Sequence, residues 1–228
     1  MDIHEQVVDE FEKIVSPERL GSYKYSDNDS MELILRRYIF NVKVSEALYP
    51  VLSALEIALR NNIHNAVAKI KGENWLLLEY EQQKILSANE RNLLIEAYNK
   101  LSKKHSNLPV TESRLVAELT FGFWVNLCKK SYKNSLWDKA EFFSNVFPYF
   151  DDNFKSPTWD KTKVIFPELK NILILRNRVF HHEIIINNKD GIENIYDKML
   201  RILLSLSKDY TEIFEAIFRF KEITKQKP

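Results

Sequence analysis

The chain has 228 residues, of which 45% are hydrophobic, and its 33 Lys and Arg against 32 Asp and Glu leave a net charge of +1. That length and apolar content support one packed domain and exclude wholesale disorder, and the charge balance excludes a protein that coats nucleic acid with its whole surface. Only 4 Gly and 7 Pro favour helices with short connections over a β-sandwich, and the single cysteine, Cys128, excludes an intrachain disulfide and a Cys-rich metal site.

The charged, helical N-terminus does not read as a signal peptide, and no apolar run approaches transmembrane length, so a soluble cytoplasmic protein without membrane contact is expected. Ile3, Val7, Val8, Phe11 and Ile14 share one face of a first helix over roughly 3–15, which Ser16-Pro17 ends. The turn-rich stretch ERLGSYKYSDNDS follows. A second helix is expected from about 29 to 48, with Leu33, Leu35, Tyr38, Ile39 and Val42 inward. Pro50 interrupts and suits the first turn of a new helix, whose stripe is Leu52, Leu55, Leu59, Ile63, Val67 and Ile70 and whose C-cap is Gly72. Glu56 and Arg60 fall inside that stripe, four apart in the favourable acid-then-base order, which suits an ion pair within the helix. His64 reads as a surface or boundary histidine.

Trp75-Leu76-Leu77-Leu78 reads as an apolar linker docked on the core. A polar helix over roughly 81–104 ends in Lys100, Lys103, Lys104 and His105, cations that suit a helix C-terminus and are candidate contacts for an RNA backbone. Thr111 or Ser113 caps the helix SRLVAELTFGFWVNLCKK, in which Phe121, Phe123, Trp124 and Cys128 read as core and Gly122 marks a closely packed neighbour. A short amphipathic or irregular piece over 136–150 and a polar loop over 151–158 lead to a helix with Pro167 near its start or at a kink. A turn near 187–191 precedes the last helix, over roughly 192–220, and a fraying tail. The chain reads as one domain, 1–228, with the helix 1–15 and the tail 221–228 peripheral.

Chemistry concentrates in Leu173-Ile174-Leu175-Arg176-Asn177-Arg178-Val179-Phe180-His181-His182-Glu183. At about 100° per residue, Leu169, Ile172, Leu173, Leu175, Val179 and Phe180 share one broad arc, with Arg176 near its middle and Asn177 and His181 stacked on its edge. A guanidinium aimed into an apolar arc must meet an anion or a hydrogen-bonded network. Glu56, reaching across from the earlier helix, is one candidate anion, and a network of all three charges accommodates both pairings. A phosphate is another: Arg supplies fixed charge, Asn a neutral amide, and His an acid or base near neutral pH. His181-His182-Glu183 makes a poor metal set, because consecutive helical residues diverge and H-E-x-x-H spacing is absent. No P-loop, Rossmann glycine pattern or G-x-S-x-G is present, and no metal or cofactor is expected.

Arg176-Asn177-x-x-x-His181 resembles the R-x(4–6)-H motif, with Asn after the Arg, of the HEPN superfamily of all-helical ribonucleases. The longer LRNRVFHHE resembles the Abi-like (abortive infection) branch of that superfamily. So do Ser16-Pro-Glu-Arg19-Leu20-Gly-Ser-Tyr23, Leu55-Glu56-Ile-Ala-Leu59-Arg60-Asn61 and Leu119-Thr120-Phe121-Gly122-Phe123-Trp124. The resemblance spans about 16–183. It implies an all-α, HEPN-like helical bundle with additional flanking helices, in which two protomers of a homodimer bring their motif helices into a shared cleft. It also implies metal-independent RNA cleavage by 2′-hydroxyl attack, with His181 as general base or acid, Arg176 on the phosphate and Asn177 orienting either. Glu56, Arg60 and His182 would support that site, His182 as a cap, a surface contact or in a swapped role. A phage-defence or toxin-like effector, with an antitoxin or regulatory partner, is the implied role. Some HEPN toxins carry a Tyr two residues after the motif His and are silenced through it, whereas this chain has Glu183 there.

The alternative is a non-catalytic helical module that binds RNA or protein. It expects Arg176 sealed against a carboxylate with His181 pointing away, whereas an enzyme expects Arg176, Asn177 and His181 to converge on open space.

Overall fold

The computed structural model describes residues 5–82, 84–104, 107–150, 158–187 and 191–228, which form helices and turns with no strand among them. Helices α1 (Glu5–Val15) and α2 (Pro17–Gly21) lead into α3 (Met31–Lys71), whose 41 residues extend about 60 Å. The sequence predicts an interruption at Pro50, yet α3 continues through it. Proline inside a helix costs roughly 3 kcal/mol. Leu48, Val51 and Leu52 around it are almost fully buried, each worth ~1.5–3 kcal/mol, so burial prevails. Ser30 caps the start, its hydroxyl accepting from the Leu33 N–H at 3.3 Å, and Gly72 ends the helix at φ +99°. Leu52, Leu55, Leu59, Ile63 and Val67 form the expected buried stripe, but Ile70 lies largely exposed beyond it.

The N-terminal elements pack on the first turns of α3. Phe11 and Tyr23 each meet Tyr38 edge-on at 5.4 Å, while Ile14, expected on the inner face, is exposed. Of the other expected apolar positions, Ile3 and the Val7 side chain lie outside what is described. Arg37 fastens the turn-rich stretch to α3. It donates to Asp29 at 2.6 Å and to the Tyr23 carbonyl at 3.0 Å, and stacks 4.0 Å over the Tyr25 ring.

The expected linker at 75–78 is helical, as α4 (Trp75–Gln82), because the Glu112 carboxylate accepts from the Leu76 and Leu77 N–H groups at 2.9 and 3.1 Å and so caps its start. The following helix, α5 (Ala88–Lys104), begins later than predicted because the buried Glu79 carboxylate gathers the N–H groups of Lys84, Ile85 and Leu86 in the connection. The single helix expected next is broken at Leu119-Thr120 into α6 (Glu112–Glu118) and α7 (Phe121–Asn126). Phe121, Phe123 and Trp124 are all buried to within 1% of their surface, and neighbours on a helix diverge by about 100°. The break lets α7 sink into the core and bury all three. A methyl on Gly122 would touch Leu173 at 3.7 Å, ordinary contact, so the close neighbour is the later motif helix.

An irregular stretch, with Trp137 donating to the Leu127 carbonyl at 2.8 Å, leads to α8 (Phe142–Val146). The polar loop predicted at 151–158 falls mostly on residues outside those described. Next come α9 (Thr158–Phe180), with Pro167 inside it, and α10 (Ile192–Leu206). The predicted last helix breaks at Ser207, whose extended backbone and hydroxyl cap α11 (Lys208–Glu215), accepting from the Tyr210 N–H at 3.3 Å. The expected fraying tail instead holds α12 (Phe220–Thr224), docked on α3 through buried Phe220 and Ile223. Helices α7, α8, α10 and α11 also pack on α3. Among the described residues no helix is long and apolar enough to cross a membrane.

Arg37, then the N–H groups of Tyr25 and Ser26, hold the Asp29 carboxyl down to about 2. The folded value lies below the ordinary one near 3.9, so this stabilisation is complete above that value and is lost as pH falls towards 2. Thermal melts across pH should show Asp29→Asn melting lower than wild type at pH 7, with a flatter acid limb between about pH 4 and pH 2. An unchanged acid limb would refute this role for Asp29.

Candidate functional site

Arg176 lies in the last turns of α9, 29% exposed. Its Nε stands 3.6 Å from Glu56 Oε2 on α3, close enough for charge attraction and too far for a good hydrogen bond, and that Nε is buried with no hydrogen-bond partner. Its Nη1 donates to Asn177 Oδ1 at 3.5 Å, and its flat face lies 4.3 Å over the Phe180 ring, one turn on. Phe180, placed by periodicity on the inner arc, is instead 43% exposed and leans on Tyr49 of α3 at 5.9 Å. Leu169, Ile172, Leu175 and Val179 hold the buried side of α9.

The ion pair expected within α3 therefore gives way to one across helices, Glu56 with Arg176. Among the described residues Arg60 forms no ion pair, and its Nε is buried without a hydrogen-bond partner. It faces the Tyr210 phenol, which burial pushes up and the Arg60 guanidinium draws back down. Asn177 and His181 are exposed one turn apart, with the His181 N–H donating to the Asn177 carbonyl at 2.9 Å.

The helix stops directly after His181, and the stop is doubly built. His182 turns left-handed at φ +56°, its N–H reaching the Val179 carbonyl at 3.1 Å, and the Glu183 N–H reaches the Arg178 carbonyl at 2.8 Å. This pair of bonds is the Schellman closure, with His where glycine is usual. Three side chains hold it. Arg19 of α2 donates to the His182 carbonyl, and Arg178 to the Ile184 carbonyl. Asn41 of α3, 3% exposed, donates to the Glu183 carbonyl at 3.1 Å and accepts from the Ile185 and Ile186 N–H groups at 2.7 and 3.3 Å. Asn41 is the positioning residue the sequence reading missed. Its signal was a lone amide inside an apolar stripe, since a buried amide must find partners.

The remaining candidates stand elsewhere. Lys100 pairs with Glu118 of α6 at 2.5 Å, Lys103 and Lys104 are exposed in the last turn of α5, and His105 lies outside the described residues. His64 is half-buried and accepts from the Trp75 indole at 3.0 Å through Nδ1. That nitrogen therefore carries no proton, and burial lowers the imidazole's affinity for a second one despite Glu73. Among the described residues no three His, Cys, Asp or Glu side chains gather to hold a metal ion. The assembled chemistry is a guanidinium held from beneath, an amide at its edge and an exposed imidazole one turn away. Together they can grip a phosphate and move a proton.

The family model described as Abi-like protein matches residues 8–187, a span that takes in Arg19, Asn41, Glu56 and the whole of the motif. No curated protein and no solved structure matches the chain.

Asn41→Ala leaves the fully buried Ile185 N–H without an acceptor, so urea unfolding should show a loss of about 1–3 kcal/mol. A loss below about 0.5 kcal/mol, the level of an ordinary surface substitution, would mean that Asn41 does not hold this turn.

Proposed function

The chain belongs to the Abi-like protein family, and from that premise we propose that it is a metal-independent endoribonuclease of the HEPN type, acting as an abortive-infection effector. The observation that carries the reading is the state of Arg176. Glu56 holds it from one side and Phe180 from beneath, while Nη1 reaches Asn177 at the exposed edge where His181 stands. An arginine kept only for structure would be expected to be sealed by a close, hydrogen-bonded carboxylate.

In the proposed reaction Arg176 binds the scissile phosphate and stabilises the charge that grows on it, and Asn177 orients a phosphate oxygen or the imidazole. His181 takes the proton of the 2′-hydroxyl, whose oxygen attacks phosphorus. The 5′-oxygen then leaves with a proton from a second acid, and a 2′,3′-cyclic phosphate remains. One chain offers a single His181, so the second acid comes from a second copy. Ile174, Asn177 and His181 share a helix face by spacing, and Ile174, Phe180 and Tyr49 are 50%, 43% and 55% exposed. Apolar side chains around a polar centre suit a two-fold contact that completes a shared site. An antitoxin or regulatory protein restraining the activity belongs to the same proposal. The second reading, a binding module, is favoured by the charge pairing of Arg176 with Glu56.

Labelled single-stranded RNA incubated in EDTA should be cut by the wild type to 2′,3′-cyclic phosphate ends. Arg176→Ala and His181→Ala should each lose about 10²–10⁴ of that rate. Equal cutting by all three would sink the assignment, and RNA bound but uncut by all three folded proteins would favour the module. Ile174→Asp should keep the helical circular-dichroism signal while sedimentation shows monomer in place of dimer and cleavage is lost. A wild type that sediments as a monomer while cutting RNA would overturn the shared site.

A further inference from the structure

A cavity of about 310 Å³ opens beside the end of α9, bounded by α1, α2, α3 and His182. We propose that it receives one base of the RNA strand next to the scissile phosphate, and that it prefers a base with carbonyl oxygens on its edge, uracil or guanine, over adenine. The proposal rests on the ribonuclease reading for the identity of the strand.

Position is the first support. His182 lines the cavity and is the chain neighbour of His181, with Cα atoms about 3.8 Å apart. Polar supply is the second. Tyr23 lines the cavity, and its hydroxyl has no hydrogen-bond partner among the described residues. The Tyr38 hydroxyl and the His182 ring nitrogens are equally unpartnered among those residues, and Arg19 directs a single amino group to the His182 carbonyl, leaving its other donors free. Asn41 and Ser45 act as floor instead. Asn41 gives its oxygen and one N–H to Glu183, Ile185 and Ile186, and Ser45 donates to the Asn41 carbonyl at 2.8 Å.

Shape and charge are the third. Ile14, Val15 and Val42 supply apolar lining beside the polar groups of Arg19, Tyr23, Tyr38 and His182. That division matches a flat heterocycle with apolar faces and a polar rim. Among the lining groups Arg19 alone carries a permanent charge, and it is already partly engaged, so a phosphate is poorly served. Arg19 can only donate, and the Tyr23 and Tyr38 hydroxyls can donate as well as accept, so the set suits a base edge carrying carbonyl acceptors better than the amino edge of adenine.

The test uses full-length His181→Ala protein, which should bind RNA without cutting it, with fluorescent oligouridylate and oligoadenylate as probes. Oligouridylate should bind about tenfold more tightly, the effect of one well-placed pair of hydrogen bonds. Adding Tyr38→Phe, which keeps the ring packing, should reduce that ratio, and adding Ser45→Trp, which fills the cavity, should bring it near one. Cleavage by the wild type is measured in parallel. A ratio of one in the parent protein, or a ratio that neither added substitution changes, overturns the cavity proposal even if the wild type cuts RNA. A ratio abolished by both in folded protein supports the cavity, and if the wild type then leaves RNA intact, it is the ribonuclease reading that falls.

Discussion

A guanidinium set in the apolar side of a helix must find a carboxylate, and Arg176 finds Glu56 on a different helix. At 3.6 Å and part-exposed, that attraction is worth about 1 kcal/mol at most. Its importance is positional. Asn41, fifteen residues earlier on α3, holds the segment just beyond the motif with three hydrogen bonds. The two fastenings stand about 22 Å apart along α3. Between them they fix where α9 ends and which way its last turn faces, and Asn177 and His181 lie within that interval. The site is thus built on one rigid ruler, with its polar groups set by contacts about four turns apart on α3.

Much of this was legible from residue spacing. The stripe Leu52, Leu55, Leu59, Ile63 and Val67 is buried as periodicity requires, and composition favoured helices while the family resemblance implied the all-helical class. The Arg176 problem, a cation on an apolar arc, was visible before its partner was known. Glu56 was one of two candidate anions, and spacing alone could not choose between its local pairing with Arg60 and its reach across to Arg176, because it carries no information on what lies across a helix contact. Local rules failed wherever tertiary burial outweighed them. Pro50 should have ended a helix, but leucine and valine burial on both sides of it costs more to abandon than one lost backbone bond. Conversely, the helix expected over 113–130 broke just before the aromatic run at 121–124, so that Phe121, Phe123 and Trp124 could all be buried.

Other misses have a common origin in carboxylates that serve backbone rather than cations. Glu79 and Glu112 each accept from consecutive N–H groups at the start or approach of a helix. Such caps act across 5 to 36 residues of sequence, so they shift helix boundaries without leaving a local signature. Asn41 is the same device with an amide, acting over 142 to 145 residues.

Those sequence separations govern when the site can exist. Arg19 meets the His182 carbonyl across 163 residues, and Asn41 meets Ile185 across 144. A chain emerging from the ribosome carries Glu56 without its arginine for some 120 further residues, roughly ten seconds of synthesis at common elongation rates. Contacts this remote form late, because the intervening loop must close before they contribute. Nascent and truncated chains therefore lack the assembled site, and it forms only after nearly the whole domain is available to fold. For the ribonuclease proposed above, the order of the chain is itself a delay.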